Sequence, residues 1–461
     1  MKIAVLNGSP KGIASITLLG VEYLRGKNPK TEFVFFHIAA QIDSLCGADG
    51  TFEKLCEMVS GCDGVLWSFP IYHFLVPAQM KRFVELVEEK NARGVFAGKY
   101  AASLSTSIHI MDRTAHSYLR GVSEDWGMNF TEALSASHEL LSAEGRKALD
   151  GFFAAFTDAI ARRAPVQRQY PPVTRSGFVY KSTQAALPAA HAGLKMLVIT
   201  DGEQKNGNIA EMVRVFCQNA GADTEVLDIS KVKTGWCLEC LRCGPDKCVY
   251  ENAPNDDFIS AYREKVLPAD IIIFAGHIEN DRYLSWRFKR FFDRTFFKNH
   301  VPTYGGKQVG FIFSGPLAQA QNLWEILSTY PDGNGANNCG FVTDECGDSK
   351  KLDALLYELC AGALRSARAG YFKPATFNGV GIHKIVRDEV WGHLCFVFPR
   401  DHEFLSANGG YDFPHRNPLR VLGFRTLYWL QKIPFVKRKF LAHMAEGASA
   451  PFKKQLDALG K

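Results

Sequence analysis

A chain of 461 residues is too long for one ordinary core, and at roughly 150 residues per domain it calls for two or three. With 46% hydrophobic and 22% charged residues it has the balance of packed cores, which excludes extended disorder. No apolar run reaches the roughly 20 residues of a membrane span, and the twelve scattered cysteines do not make a secreted disulfide framework. With no leader-like pattern after Met1, these features predict a cytoplasmic protein with reduced thiols.

In chain order, MKIAVLNGSPKG is an apolar run ending in a turn, and SITLLGVEYLRGK follows at helical spacing. TEFVFFHI, DGVLWSFP and KYAASLST read as further strands, separated by helix-like stretches such as PAQMKRFVELVEEK. Strands alternating with helices predict a parallel sheet covered on both faces. A helix from about Glu144 to Arg163 closes this first domain, 1–165. Residues 166–192 are rich in Pro, Ser and Gly and read as a linker. From Leu194 the pattern starts again, with LKMLVITDGEQKNGNIAEMVRVF, ADTEVLDI, ADIIIFAGHI and KQVGFIFSGP in the same order. A second α/β domain over 193–370 is therefore expected, as a tandem duplication. Residues 371–461 form an extension without a counterpart, first aromatic and then basic. Residues 416–461 carry ten Lys or Arg against Glu446 and Asp457, so the remaining 415 residues net to −2. Such a tail is either a closing helix with a solvated basic face or a segment that docks a partner or lies at the inner membrane surface. No recognised nucleic-acid module accompanies the charge, and no nucleic-acid partner is expected.

The join Asn7-Gly8-Ser9-Pro10-Lys11, followed by Ser15 and Thr17, sits after the first strand and before a helix N-terminus. Backbone N–H groups, hydroxyls and Lys11 meet there, as a phosphate requires. A Gly-Ser-Pro turn that merely ends the strand is the plainer alternative. At the end of the third strand, Pro70 and Tyr72, with Ile71 between them, shape a loop where Tyr72, His73 and Phe74 could flank a flat ring or serve as a core or dimer contact. Ser105, Thr106 and Ser107 follow the next strand and suit the rim of a heterocycle.

GSPKG with Ser15 and Thr17, then SFPIY and PAQMKRFVE, resembles the flavodoxin-like NADPH-dependent FMN reductase family across nearly all of the first domain. The resemblance implies two tandem flavodoxin-like, doubly wound parallel-sheet domains. It places Ser9, Pro10, Lys11, Ser15 and Thr17 at an FMN phosphate. Pro70 to Phe74, with Ser105 to Ser107, fall beside the ring, and NAD(P)H is implied as electron donor. Ile16 stands where relatives often have Asn. The second domain lacks the Pro-x-Tyr loop, and Asp201 and Glu203 in its first loop would repel a phosphate.

CLECLRCGPDKC places Cys237, Cys240, Cys243 and Cys248 at a spacing of x2, x2, x4. Such spacing suits a compact iron–sulfur cluster, with zinc and plain reduced thiols as alternatives. The segment is similar to the iron-sulfur flavoprotein branch of the same superfamily, which implies a 4Fe-4S cluster there. The expectation is then an NAD(P)H-dependent flavin oxidoreductase, with FMN in the first domain and a cluster in the second. The two domains would form an intrachain pseudo-dimer, with further homo-oligomerisation open, serving a redox partner or small-molecule acceptor. A non-enzymatic flavodoxin-like electron carrier, or an interaction protein with vestigial sites, is the alternative.

Overall fold

The computed structural model describes all residues except 184–192, 203–206, 222–223, 414–416, 443–452 and 460–461. Part of the linker and residues 203–206 of the second domain's first loop, Glu203 among them, therefore lie outside the described residues. The chain divides into two compact units, Met1–Glu403 and Phe404–Lys461.

The first unit holds two five-stranded sheets, every pairing parallel. In one, β1 (Lys2–Asn7), β2 (Glu32–Phe36), β3 (Gly64–Pro70), β4 (Tyr100–Thr106) and β5 (Asn129–Ala136) lie in the order β2-β1-β3-β4-β5. In the other, β6 (Met196–Thr200), β7 (Thr224–Asp228), β8 (Ile271–His277), β9 (Gln308–Ser314) and β10 (Asn337–Thr343) lie in the order β10-β9-β8-β6-β7. Written from the first strand of each repeat, the two orders are identical. These are two tandem flavodoxin-like α/β domains. Every residue of β3 and of β9 is buried, because helices cover both faces, and this is why those strands read as continuous apolar runs. Strand order reverses between β1 and β3, opening a crevice at the carboxyl ends of the strands, where such sheets bind ligands.

The halves meet through two matching helices, Ala78–Glu89 and Trp286–Arg294, each preceded by the loop that follows its domain's third strand. The Asp293 carboxylate accepts the Ala78 backbone N–H at 2.8 Å, and the Glu85 carboxylate accepts the Trp286 N–H at 2.6 Å. Each helix thus caps the other's exposed N-terminal amides with an acid four residues after a lysine, Lys81 or Lys289. Lys81 is fully buried and pairs with Glu85 and, at 2.6 Å, with Asp281. Burial alone would lower its pKa, but the two carboxylates outweigh it and hold the ammonium charged. Tyr118 donates to Asp281 at 2.9 Å, completing a polar seam across the joint.

Candidate functional site

The loop after β1 is pinned by one side chain. Asn7 donates through Nδ2 to the Gly12 carbonyl at 2.8 Å and accepts the Ser9 N–H at 3.1 Å. A Cβ on Gly8 would lie 2.2 Å from Met80 Sδ, so only glycine lets this loop approach the helix beneath it. The helix Ile16–Lys27 then starts with Ser15 as its N-cap, accepting the Leu18 N–H at 3.4 Å. The result is a tight turn delivering hydroxyls, a lysine and a helix N-terminus to one point.

That point already holds an anion. The Glu239 carboxylate accepts from Ser9 Oγ at 3.2 Å and pairs with Lys11 Nζ at 3.4 Å. It comes from the second domain, out of the middle of the cysteine motif, on a residue with φ of +55°. Burial pushes its carboxyl up from the ordinary range, opposed by Lys11 and then Ser9. The donors of the loop therefore suit an anionic oxygen group, and a carboxylate stands in for one.

Beside the loop opens a cavity of about 460 Å³, lined on one side by Pro70 to Phe74, Thr106, Ser107 and the exposed Ile16. Its lining is mostly apolar and its size suits a flat heterocycle. His73 and Phe74 both adopt positive φ, +40° and +67°. Non-glycine residues hold that conformation only where surrounding bonds fix it. Tyr72 and Leu75 exchange backbone bonds at 2.8 and 2.9 Å across this turn, and Thr114 Oγ1 donates to the Phe74 carbonyl. Further lining comes from later in the chain: Cys237, Asp293, Phe296 and Lys298 to Val301 in the second domain, and Ile382, Val386, His393 and Phe398 beyond it. Phe296 lies edge-on to His73 with centroids 6.5 Å apart.

Asn299 is 5% exposed, has φ of +60°, and neither its amide nitrogen nor its amide oxygen has a hydrogen-bond partner. The phenol oxygen of Tyr72 is likewise buried without a partner. Orphaned polar atoms on a cavity wall are costly unless a ligand or water meets them. Beside them, burial pushes the Lys298 ammonium down to about 7, while its Nζ donates to Asn334 Oδ1 at 2.8 Å and to Thr303. His300 Nδ1 and Asp401 are 2.6 Å apart.

The residues singled out in the sequence divide into three groups. Ser9 and Lys11 hold Glu239, and Pro70 to Phe74 with Thr106 and Ser107 line the cavity. Ser15 and Thr17 are buried and structural, Ser15 as the cap and Thr17 bonded to Thr106 Oγ1 at 2.6 Å. Pro10 shapes the turn at partial exposure. Ser105 turns away from the cavity: it is fully buried, 2.8 Å from His116 Nε2 and donating to Ser135, because alternate residues of a strand face opposite sides of the sheet.

The cysteine motif lies against the first domain. Gln79 Nε2 donates to the Cys237 carbonyl at 2.8 Å, and Trp236 Nε1 donates to Asp43 at 3.0 Å. Cys237 faces the cavity, Cys243 is buried, Cys248 is half-buried and Cys240 is exposed. Among the described residues no three His, Cys, Asp or Glu side chains converge as metal ligands would. The donor types suit a 4Fe-4S cluster but their arrangement does not, so the geometry gives the cluster expected from the sequence no support.

The matching edge of the second domain is bordered by the chain's own linker, which walls a more polar cavity of about 420 Å³ together with Asn208, His277, Ser314 and Asp344. Asn208, at the start of the helix Asn208–Ala220, accepts the Tyr180 N–H at 2.7 Å and donates to the Phe178 carbonyl at 2.8 Å. Arg175 reaches His277 Nε2 and Asn280 Oδ1, both at 3.0 Å, and the Ile278 carbonyl. Asp344 accepts from Asn208 and Ser314 where a ring would sit, and the Asp201 carboxylate, held by Ser285 Oγ at 2.6 Å, follows β6.

Residues 1–133 match the model of the NADPH-dependent FMN reductase family. That span is the loop and most of the sheet described above. Among solved structures, the chain is similar to the flavoenzyme NAD(P)H:(acceptor) oxidoreductase FerB from Paracoccus denitrificans. The identity is 24% over 35% of this chain and 97% of that one, with a TM-score of 0.30. It is also similar to general stress protein 14 from Treponema denticola in complex with FMN, at 12% identity, 34% and 98% coverage and a TM-score of 0.27. A third is an FMN-dependent NADH-azoreductase from Bacillus anthracis in complex with FMN, at 11% identity, 36% and 100% coverage and a TM-score of 0.26. No curated protein matches the chain.

Sequence reasoning missed Glu239, Lys298 and Asn299, all contributed to the matched half by the other half. The repeated Lys-Arg-Phe helices were the available signal, since matching helices in a duplicated chain can pair and bring the second copy's loops over the first copy's site.

Proposed function

We propose that the protein is a flavin oxidoreductase that binds FMN in its first domain and oxidises NAD(P)H for a small-molecule or protein acceptor. The observation that carries this reading is the Ser9–Lys11 loop, which holds the Glu239 carboxylate, itself part of the lining of the 460 Å³ cavity. Ser9 Oγ–H and Lys11 would hold the flavin phosphate in place of Glu239, and Tyr72, His73 and Phe74 would flank the ring. Bound FMN accepts hydride and releases electrons singly or in pairs. Phe296, Lys298, Asn299 and His300 would face a second ligand stacked on the ring, and a turn of the Asn299 amide would offer that ligand one donor and one acceptor.

The two domains act as an intrachain pseudo-dimer in this proposal, the second roofing the site of the first. A finer reading adds a 4Fe-4S cluster on Cys237, Cys240, Cys243 and Cys248, passing single electrons. It rests on cysteine spacing alone, and no step here runs through it.

The test is anaerobic purification with released flavin and iron quantified, followed by NADH and NADPH oxidation with a quinone or ferricyanide as acceptor. About one FMN per chain with turnover supports the proposal, and about four iron per chain adds the finer reading. A chain that neither retains nor titrates FMN is incompatible with it.

A further inference from the structure

The second unit contains two short helices, Pro418–Leu430 and Pro434–Ala442. Among the described side chains, neither helix buries a large apolar one. Leu419 is 79% exposed, Trp429 63% and Phe435 66%, and Leu422, Phe424 and Leu441 are also more than half exposed. A soluble helix turns one apolar stripe inward, and one that is apolar around its circumference belongs in a core or a bilayer. The same stretch, 418–442, carries Arg420, Arg425, Lys432, Lys437, Arg438 and Lys439 and no acid. The net positive sequence of this stretch, beside exposed aromatic and aliphatic groups, complements an anionic apolar surface, whereas a second copy of the segment would meet like charge.

Length decides how the segment would sit. Thirteen residues of helix span about 20 Å, short of the roughly 30 Å hydrocarbon layer, and no described helix is long and apolar enough to cross a membrane. Pro434 begins a new helix instead of continuing the first. Between the two, Lys432 Nζ lies 3.8 Å from the centroid of the Trp429 ring and 4.9 Å from that of Tyr428. An aromatic pair with a lysine at one end of an apolar helix is the arrangement found at the headgroup level of bilayers.

We propose that residues 418–442 dock the protein on an anionic lipid surface, apolar side chains entering the headgroup boundary and the six cations facing acidic lipids. This inference stands apart from the flavin reading.

The test is flotation of the full chain with phosphatidylcholine vesicles, with and without about 30% phosphatidylserine. Binding is expected to the anionic vesicles only and to weaken with salt. Replacing Lys437, Arg438 and Lys439 by Gln together is expected to weaken it roughly a hundredfold. The pair Phe424→Ser and Trp429→Ser is expected to weaken it by about tenfold or more. The substituted residues are solvent-exposed, so thermal melts should match the parent and separate lost docking from lost folding. A folded, soluble full chain that ignores anionic vesicles, or variants that float like the parent, would overturn the proposal. So would concentration-dependent self-association abolished by the same substitutions, which would assign the surface to a second copy.

Discussion

The carboxyl edges of the two sheets share strand order and loop positions but have been filled in opposite ways. At the first, Ser9 and Lys11 hold a carboxylate sent across from the other half, and an apolar cavity remains beside it. At the second, Arg175 and the backbone of 178–180 lie across the edge as part of the same continuous chain, among Asp201 and Asp344. A neutralised basic loop can exchange one anion for another. An edge with its own carboxylates in place, tied down by hydrogen bonds, has nothing to exchange. The duplicated fold thus supplies two cavities of similar size, about 460 and 420 Å³, the first mostly apolar beside a basic loop and the second lined by Arg175, Asp344 and Glu345.

The comparison breaks most severely if the halves separate. Lys81→Met leaves Asp281 and Glu85 buried beside one another without their cation. It should cost about 3–5 kcal/mol of the joint's stability, seen as an earlier unfolding transition and loss of bound flavin. The second edge, bordered by its own linker, should keep its hydrogen bonds, so amide exchange at Tyr180 should change little. Equal loosening of both edges would mean that the joint does not build the first site alone.

Lys11→Ala tests the loop directly. Losing a charge-assisted contact of about 1.5–3 kcal/mol should weaken FMN by roughly 10- to 100-fold, while riboflavin, which has no phosphate, should bind as before. The corresponding change at the second edge, Arg175→Ala, is expected to create no second flavin equivalent. A second equivalent in flavin titration would show that only the linker closes that edge.

Much of this was legible in the sequence, and the rest was hidden for identifiable reasons. GVLWSFP and QVGFIFS announce strands buried on both faces, and Asn7 to Lys11 announces a loop at a helix start. Glu239 is 230 residues from Ser9 and sits in a motif whose cysteines draw attention from the acid between them. Its role depends on how the halves pack. Asn299 is hidden for the same reason, and its orphaned amide sharpens the contrast of the two edges. Asn299→Leu should change the stability of the ligand-free protein little, because the gain of about 1 kcal/mol from removing unsatisfied polar atoms is offset by holding leucine at φ of +60°, yet raise the KM for NAD(P)H or acceptor several-fold with flavin content unchanged. An unchanged KM would make Asn299 a packing fault and not a ligand contact.

The smallest effect bears most directly on what the first edge exchanges. Glu239→Gln keeps a hydrogen-bonding group near Ser9 but removes the carboxylate charge that faces Lys11, a partly exposed pair worth at most about 1 kcal/mol. FMN affinity should therefore change by no more than about fivefold. The pH dependence is more diagnostic than the magnitude. Burial raises the Glu239 pKa in the closed contact, so that contact is fully favoured below the ordinary carboxylate range and loses stability as pH rises towards the raised value. FMN, which must displace it, should bind more tightly with rising pH across that window. The phosphate's own second ionisation, near pH 6, adds a further rise that the substitution leaves in place. Affinity measured by flavin fluorescence should then show a shallower acidic limb in Glu239→Gln than in the parent. Parallel curves would mean that the flavin phosphate and the Glu239 carboxylate do not compete for Ser9 and Lys11.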